Sequence, residues 1–336
     1  MTDNRTKSST RPARGIEKII RSIDRFQQRH LITKFTYAVI KKYANDNGSY
    51  LSALITYYGL LSLFPLLIVI TSLSELLLRN NAALRTRISG SIAQYIPIIG
   101  ANLEHATKSP GKTGLALLIS LLITFYGALG GANALQYAIN TVWYIPQTKQ
   151  PQFPRSLLRS IGIIIVGGVG LMAAGLMSGY TAFLGQSPLV KVLAIVLSMT
   201  VLWLTFLAVF KLAVGERKTI KAVISGALVA AVGLQVLQIG GGVILHHEIQ
   251  SLSSTYGAFA LVIALIFWIY LQAQVILYAA EVDVTLAYHL FPRSLAEPLT
   301  DHDQYAYAAY TKAHAIHPTE EVDVSFKPKA NRQKKN

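Results

Sequence analysis

The stretch from Ser254 to Phe291, STYGAFALVIALIFWIYLQAQVILYAAEVDVTLAYHLF, constrains the chain more than any other, because from Gly257 to Ala280 it contains no charged residue. At about 1.5 Å of rise per residue, that run crosses a hydrocarbon core of roughly 30 Å. It holds Phe267, Trp268 and Tyr270, then the amides Gln272 and Gln274, and stops at Glu281 and Asp283. An apolar run of this length that ends abruptly at carboxylates predicts a transmembrane helix leaving the bilayer.

Composition agrees. Of 336 residues, 52% are hydrophobic and 14% charged, against about a quarter charged in soluble domains. The formal charge of +15 suggests nucleic acid, but in a membrane chain it reads as basic loops facing the cytoplasm, and no nucleic-acid partner is expected. There is no cysteine, which excludes disulfides, thiolate chemistry and Cys-ligated zinc. The first thirty residues are polar and basic without an apolar core, so no cleavable signal peptide is expected.

Residues 1–14 read as a disordered basic N-terminus. From Gly15, Ile16, Ile19, Ile20, Ile23 and Phe26 recur at helical spacing, with Lys18, Arg21, Arg25 and Arg29 on other faces. This predicts a cytoplasmic amphipathic segment over 15–49 lying on anionic lipids of the phospholipid membrane, with Lys41 and Lys42 near the membrane boundary. Six apolar runs follow, at about 50–78, 114–139, 160–184, 192–214, 222–245 and 257–280, within a transmembrane domain of 50–290. A polar connector, 79–113, reads as short amphipathic helices on the outer face. Residues 291–336 read as a flexible cytoplasmic tail. The expected fold is an all-α membrane protein, with six transmembrane helices and an N-terminal amphipathic interfacial helix.

With both termini in the cytoplasm, 25 of the 31 Lys and Arg fall on the inner side, as the positive-inside rule requires. Lys211, at the end of the fourth run, is expected to snorkel to the interface. Gly127 and Gly131, four apart, predict close approach of a second helix. Pro65 removes a backbone donor inside the first run and is a candidate hinge or packing kink.

Three stretches resemble the YihY/BrkB family of bacterial inner-membrane proteins, once labelled ribonuclease BN. They are Ser62-Leu63-Phe64-Pro65, the segment from Gly130 through Asn133 to Asn140 and Tyr144, and Tyr256-Gly257-Ala258-Phe259 through Trp268-Ile269-Tyr270-Leu271 to Ala280-Glu281. The resemblance covers roughly residues 35–295. It implies six spans, cytoplasmic termini and a bacterial inner-membrane location. The family pattern often carries Arg near Asn133, and this chain has none.

The nuclease label implies a compact His/Asp cluster around metal ions that activate water. The eight histidines form no such run; His246-His247 are adjacent, and His314 and His317 lie in a polar stretch. Neither a G-x-x-x-x-G-K-[ST] loop nor a G-x-S-x-G elbow occurs. The sequence therefore predicts no enzyme, no cofactor and no metal site. Polar groups inside apolar helices remain: Asn133, Gln136, Asn140, Gln235, Gln238, Gln272 and Gln274. They read either as interhelical hydrogen bonds of roughly 1 kcal/mol each or as the lining of a polar cavity for a solute or lipid head group. Asn133, Gln136, Asn140, Gln235, Gln238 and Glu281 are the candidate cavity residues. Glu281 stands near the negative end of its helix dipole, which predicts a cationic partner such as Arg293 or Lys221. The expected role is transport-like or lipid-handling, in the cell envelope. The alternatives are a scaffold that binds an envelope protein or a second copy of itself, and, disfavoured for want of ligands, a membrane-bound tRNA ribonuclease.

Overall fold

The computed structural model describes residues 21–180, except 78–113, and 188–326, except 216–217, 257, 296–297, 316 and 318. Side chains of 64–77, 114–117, 176, 178–180, 188–191, 239 and 242–261 are outside the described set. The expected outer-face loop 79–113, the disordered stretch 1–14 and the side chains of His246 and His247 lie outside the described residues.

Residues 21–29 are helical. The elements that follow are α1 (Leu31–Asn45), α2 (Gly48–Leu77), α3 (Gly114–Val142), α4 (Arg155–Tyr180), α5 (Pro188–Val214), α6 (Ile224–Tyr256), α7 (Ala258–Ala287) and α8 (Asp301–Ala313). No strand occurs among the described residues. Among them, four stretches are long and apolar enough to cross a membrane: Leu118–Val142, Arg155–Gly175, Val192–Val214 and Val262–Ala287. Ile224–Gln238 is a shorter apolar stretch. Long apolar runs take helical form because every backbone donor is then satisfied within the segment, the requirement that lipid imposes.

Each long helix packs against the next in the chain, and α7 closes back on α2. Outward faces are apolar as well: Leu118, Leu121, Leu122 and Phe125 of α3 and Val192, Leu193, Ile195 and Val196 of α5 are exposed. Helices that are apolar all round suit a lipid surround. The interior is built from Trp143, Phe210, Leu202 and Leu290 with many alanines, among them Ala213, Ala227, Ala230, Ala231, Ala279 and Ala280. Small residues there let backbones approach. Gly127 faces the Ser62 backbone of α2, as its spacing predicts, but the second contact belongs to Gly130, over the Tyr58 ring, rather than to Gly131, which has more room.

One expectation is corrected. The 291–336 segment contains α8, opened by a capping box in which the Thr300 side chain accepts from Asp303 N–H and Asp303 accepts from Thr300 N–H. Arg293, Ser294 and Asp303 of this segment are buried, so a flexible tail does not describe this part of it. Lys42, expected near the membrane boundary, is fully buried within the protein, because the face Ala38, Val39, Lys42, Tyr43 of α1 packs inward. Lys211 Nζ donates to the carbonyls of Gly215 and Lys218 at 2.8 and 2.7 Å, sealing the end of α5. Helix α6 continues past the fifth apolar run, to Tyr256. Helix α2 runs through Pro65.

Candidate functional site

Helix α1 lies across α7 and α2 and delivers Lys42 to the end of α7. All three ammonium donors are used: Nζ donates to Asp46 Oδ2 at 2.5 Å, to Glu281 Oε2 at 2.7 Å and to the Val142 carbonyl at 2.8 Å. The Tyr144 ring lies 4.5 Å from the same nitrogen, a cation–π contact in a dry setting. Lys42 and Glu281 are fully buried and Asp46 nearly so. Burial opposes the charged ammonium, but the Glu281 and Asp46 carboxylates outweigh it and raise the Lys42 pKa above its ordinary value. Burial also pushes the Asp46 carboxyl up, against the pull of Lys42. The Tyr144 hydroxyl is raised by burial.

Backbone geometry brings these groups together. Helix α3 ends with Tyr144 N–H bonded to the Thr141 carbonyl and Ile145 N–H to that of Asn140. Helix α7 ends the same way, through His289 to Leu286 and Leu290 to Thr285. Both are Schellman ends, which need a left-handed residue: Tyr144 (φ 54°) and His289 (φ 52°) fill that place. Asn47 (φ 56°) turns the chain after α1. At Tyr144 this strained conformation coincides with the ring's position over Lys42, the kind of site where strain is tolerated.

A second charged group adjoins the first. Asp303 Oδ1 accepts from Lys41 Nζ and Arg293 Nε, each at 2.8 Å, and Oδ2 accepts from the Ser294 N–H and hydroxyl, also at 2.8 Å. Burial disfavours its charge, yet the hydrogen bonds from Lys41, Ser294 and Arg293 hold the carboxyl well below the usual carboxylate range. Lys41 also donates to the Ser294 carbonyl at 2.5 Å. Three cations (Lys41, Lys42, Arg293) thus face three carboxylates (Asp46, Glu281, Asp303). On α7, Asp283 Oδ1 accepts from the Gly226 N–H of α6 at 2.5 Å.

The partner of Glu281 is therefore Lys42, not Arg293 or Lys221, since Arg293 is held by Asp303. Sequence reading missed Lys42, Asp46 and Asp303. A local signal existed: Ala38, Val39, Lys42, Tyr43 and Asp46 recur at helical spacing, which puts Lys42 and Asp46 on the apolar face. The amides are not gathered around Glu281. Asn133 Oδ1 accepts from the Ser156 and Ser160 hydroxyls of α4 at 3.1 and 2.7 Å. Gln136 Nε2 donates to Ser160 Oγ at 2.7 Å. Asn140 Nδ2 donates to the Gln136 carbonyl one turn back at 2.7 Å and to Ala213 of α5 at 3.4 Å. Gln235 and Gln238 are half-buried on α6, and Gln272 and Gln274 on α7; Gln274 donates to the Tyr43 hydroxyl at 3.4 Å.

Comparison with known proteins agrees with this architecture. The chain is 26% identical to the ribonuclease-like protein YfkH of Bacillus subtilis, over 75% of this chain and 94% of that one. It is 24% identical to the inner membrane protein YhjD of Escherichia coli, over 87% and 91% respectively. A UPF0761 membrane protein of Psychrobacter is 26% identical over 86% of this chain but only 56% of its own length, so the chain spans little more than half of that relative. No solved structure matches. The sequence profile described as Virulence factor BrkB matches residues 39–303. A match over that much of the chain, on apolar helices of membrane-crossing length, makes this protein a member of the YihY/BrkB family of multi-pass bacterial inner-membrane proteins.

Proposed function

We propose that the chain handles a solute or a lipid head group within the bilayer, in a transport-like way and without an energy source of its own. One observation carries this reading: Glu281 closes an apolar helix yet is fully buried against Lys42 and Asp46 rather than turned to water. Ionisable groups buried at membrane depth are costly, and pathways for solutes or protons are where they are usually retained. In this reading α2 to α7 are the six spans, and both termini face the cytoplasm, as the Lys and Arg distribution favours. Residues 21–29 then lie on the anionic leaflet, with Ile23 and Phe26, 54% and 61% exposed, entering the acyl boundary and Arg21, Arg25 and Arg29 near head groups.

The chain's lack of cysteine gives a direct test. Single cysteines at Asn133, Gln136, Gln235, Gln238 and Glu281 are probed with a membrane-impermeant thiol reagent applied from either side. Labelling at the amide positions supports a polar cavity, and reconstituted flux and lipid-movement assays follow. Silence at all of them removes the cavity from the proposal.

A scaffold without transport is the second reading. It is favoured by the way Asn133, Gln136 and Asn140 are engaged in bonds between helices. Neither reading includes a catalytic step. Purified protein supplemented with divalent metal should leave tRNA intact, and cleavage under those conditions restores the ribonuclease reading.

A further inference from the structure

The two adjoining charge groups are unbalanced in opposite senses. Around Lys42, two carboxylates meet one ammonium, an excess of one negative charge. Around Asp303, Lys41 and Arg293 meet one carboxylate, an excess of one positive charge. The unused hydrogen-bonding groups follow the same division. Asp46 Oδ1 and Glu281 Oε1 are buried acceptors without a partner, while both Nη atoms of Arg293 are buried donors without one. Arg293 is fully buried, and its charge acts on Asp46. Unpaired buried groups of this kind cost free energy unless something satisfies them, and two carboxylates at one site resist simultaneous ionisation.

We propose that Asp46 and Glu281 form a proton-binding site, the two carboxyls sharing one exchangeable proton, and that Arg293 is the counter-charge that compensates the site when the proton leaves. The two carboxyls meet at one nitrogen, Asp46 Oδ2 and Glu281 Oε2 accepting from Lys42 Nζ at 2.5 and 2.7 Å, which sets them side by side. Protonation neutralises the Lys42 group and turns one orphaned acceptor into a donor. Loss of the proton leaves an excess charge that the charge of Arg293, held by Asp303 and lying 5.4 Å from the centre of the Tyr307 ring, compensates through its field at Asp46. The groups around the pair are Lys42 from α1, Tyr144 from the end of α3, Tyr278 from α7 with Tyr43 stacked on it, and Arg293, with Asp303, Lys41 and Tyr307 behind it. Among these, only a carboxyl-bound proton removes the negative excess without breaking the three bonds of Lys42. The inference does not depend on whether the chain moves a solute.

The experiment is pH-difference infrared spectroscopy of the full chain in lipid nanodiscs, read at the carbonyl stretch of protonated carboxylic acids. The expected result is a titrating band in the wild type that is distinct from any contribution of Asp283. Both Asp46→Asn and Glu281→Gln abolish or displace it, while Asp283→Asn, at a separate buried carboxyl, leaves it in place. Arg293→Gln should move the midpoint upward by about 1 pH unit or more, since removal of a nearby cation favours the protonated acid. A wild type with no titrating carboxyl band overturns the proposal without any variant. So does a titrating signal that Asp283→Asn removes entirely, or one that persists unshifted in either Asp46→Asn or Glu281→Gln. An unmoved midpoint in Arg293→Gln overturns the role given to Arg293.

Discussion

Lys42 and Glu281, 239 positions apart in the chain, meet at 2.7 Å with neither side chain exposed. The contact joins the helix that precedes the long apolar helices to the end of the last of them, and it fixes α1 as part of the bundle. Breaking a buried pair by removing one partner leaves an uncompensated charge and costs about 3–5 kcal/mol, whereas replacing the whole group by neutral residues of similar size is often close to neutral. Lys42→Met should therefore destabilise the protein by about that amount in detergent unfolding. The triple variant Lys42→Met, Asp46→Asn, Glu281→Gln should recover most of the loss. A triple variant no more stable than the single one would show that the charges matter for a reason other than mutual compensation.

Two carboxylates on the same side of the molecule should respond to pH with opposite signs. Asp303 is held below its ordinary pKa of about 3.9 by its donors, so its stabilisation is full above that value and is lost as pH falls through the depressed one. Burial raises Asp46, so its contribution is full below about 3.9 and is lost as pH rises through the raised value. Melting temperature followed against pH in nanodiscs should lose part of its acid limb in Asp303→Asn. Asp46→Asn should instead flatten the decline above about pH 4. Identical acid limbs in Asp303→Asn and wild type would sink the assignment to Asp303.

What was legible in the sequence was whatever depends on neighbours along the chain. Uninterrupted apolar runs specify helices because no other backbone form satisfies its own donors in lipid, and the Ser62–Pro65, Gly130–Asn140 and Tyr256–Glu281 stretches carried the family. The closing Glu281 was visible as a charge in need of a cation, but its partner was not. A pairing across 239 positions leaves no local trace, and a lysine before an apolar run reads equally well as a boundary residue. Helix α8 was hidden for a different reason. Its polar surface hides any apolar stripe, although Thr300 and Asp303 at capping-box spacing were an available signal of a helix start.

The left-handed residues at two helix ends should separate strain from function. For a residue other than glycine, that conformation costs roughly 1–2 kcal/mol. His289 is exposed, so His289→Gly should stabilise the protein by about 0.5–1 kcal/mol, less than the strain because glycine also gains freedom in the unfolded chain. Tyr144→Gly relieves the same strain but removes the ring over Lys42, a desolvated contact of up to about 2 kcal/mol, along with the ring's own burial. It should be destabilising on balance. Thermal unfolding of the two variants side by side checks the contrast, and equal shifts of the same sign would deny Tyr144 a part in holding Lys42.

The contact between α6 and α7 rests on Gly226. A Cβ there would run into the Ala279 carbonyl oxygen and the Asp283 carboxylate, and the Gly226 N–H is the donor that Asp283 Oδ1 accepts. Gly226→Ala must push the two backbones apart, and overpacking of this kind costs about 1–3 kcal/mol. The shift also lengthens the hydrogen bond to Asp283, whose Oδ2 is already buried without a partner, so the loss should lie at the upper end of that range. Gly168 supplies the control. It too is inside a helix, but a Cβ there meets nothing within 4 Å, and Gly168→Ala should be neutral or stabilising by up to about 1 kcal/mol, because alanine is the better helix former. Because Asp283 lies two residues beyond Glu281 on the same helix, displacement of α7 at Gly226 should also disturb the Lys42 pair. Gly226→Ala combined with Lys42→Met should therefore cost less than the sum of the single variants. Strict additivity in denaturant unfolding would mean that the two contacts hold α7 independently.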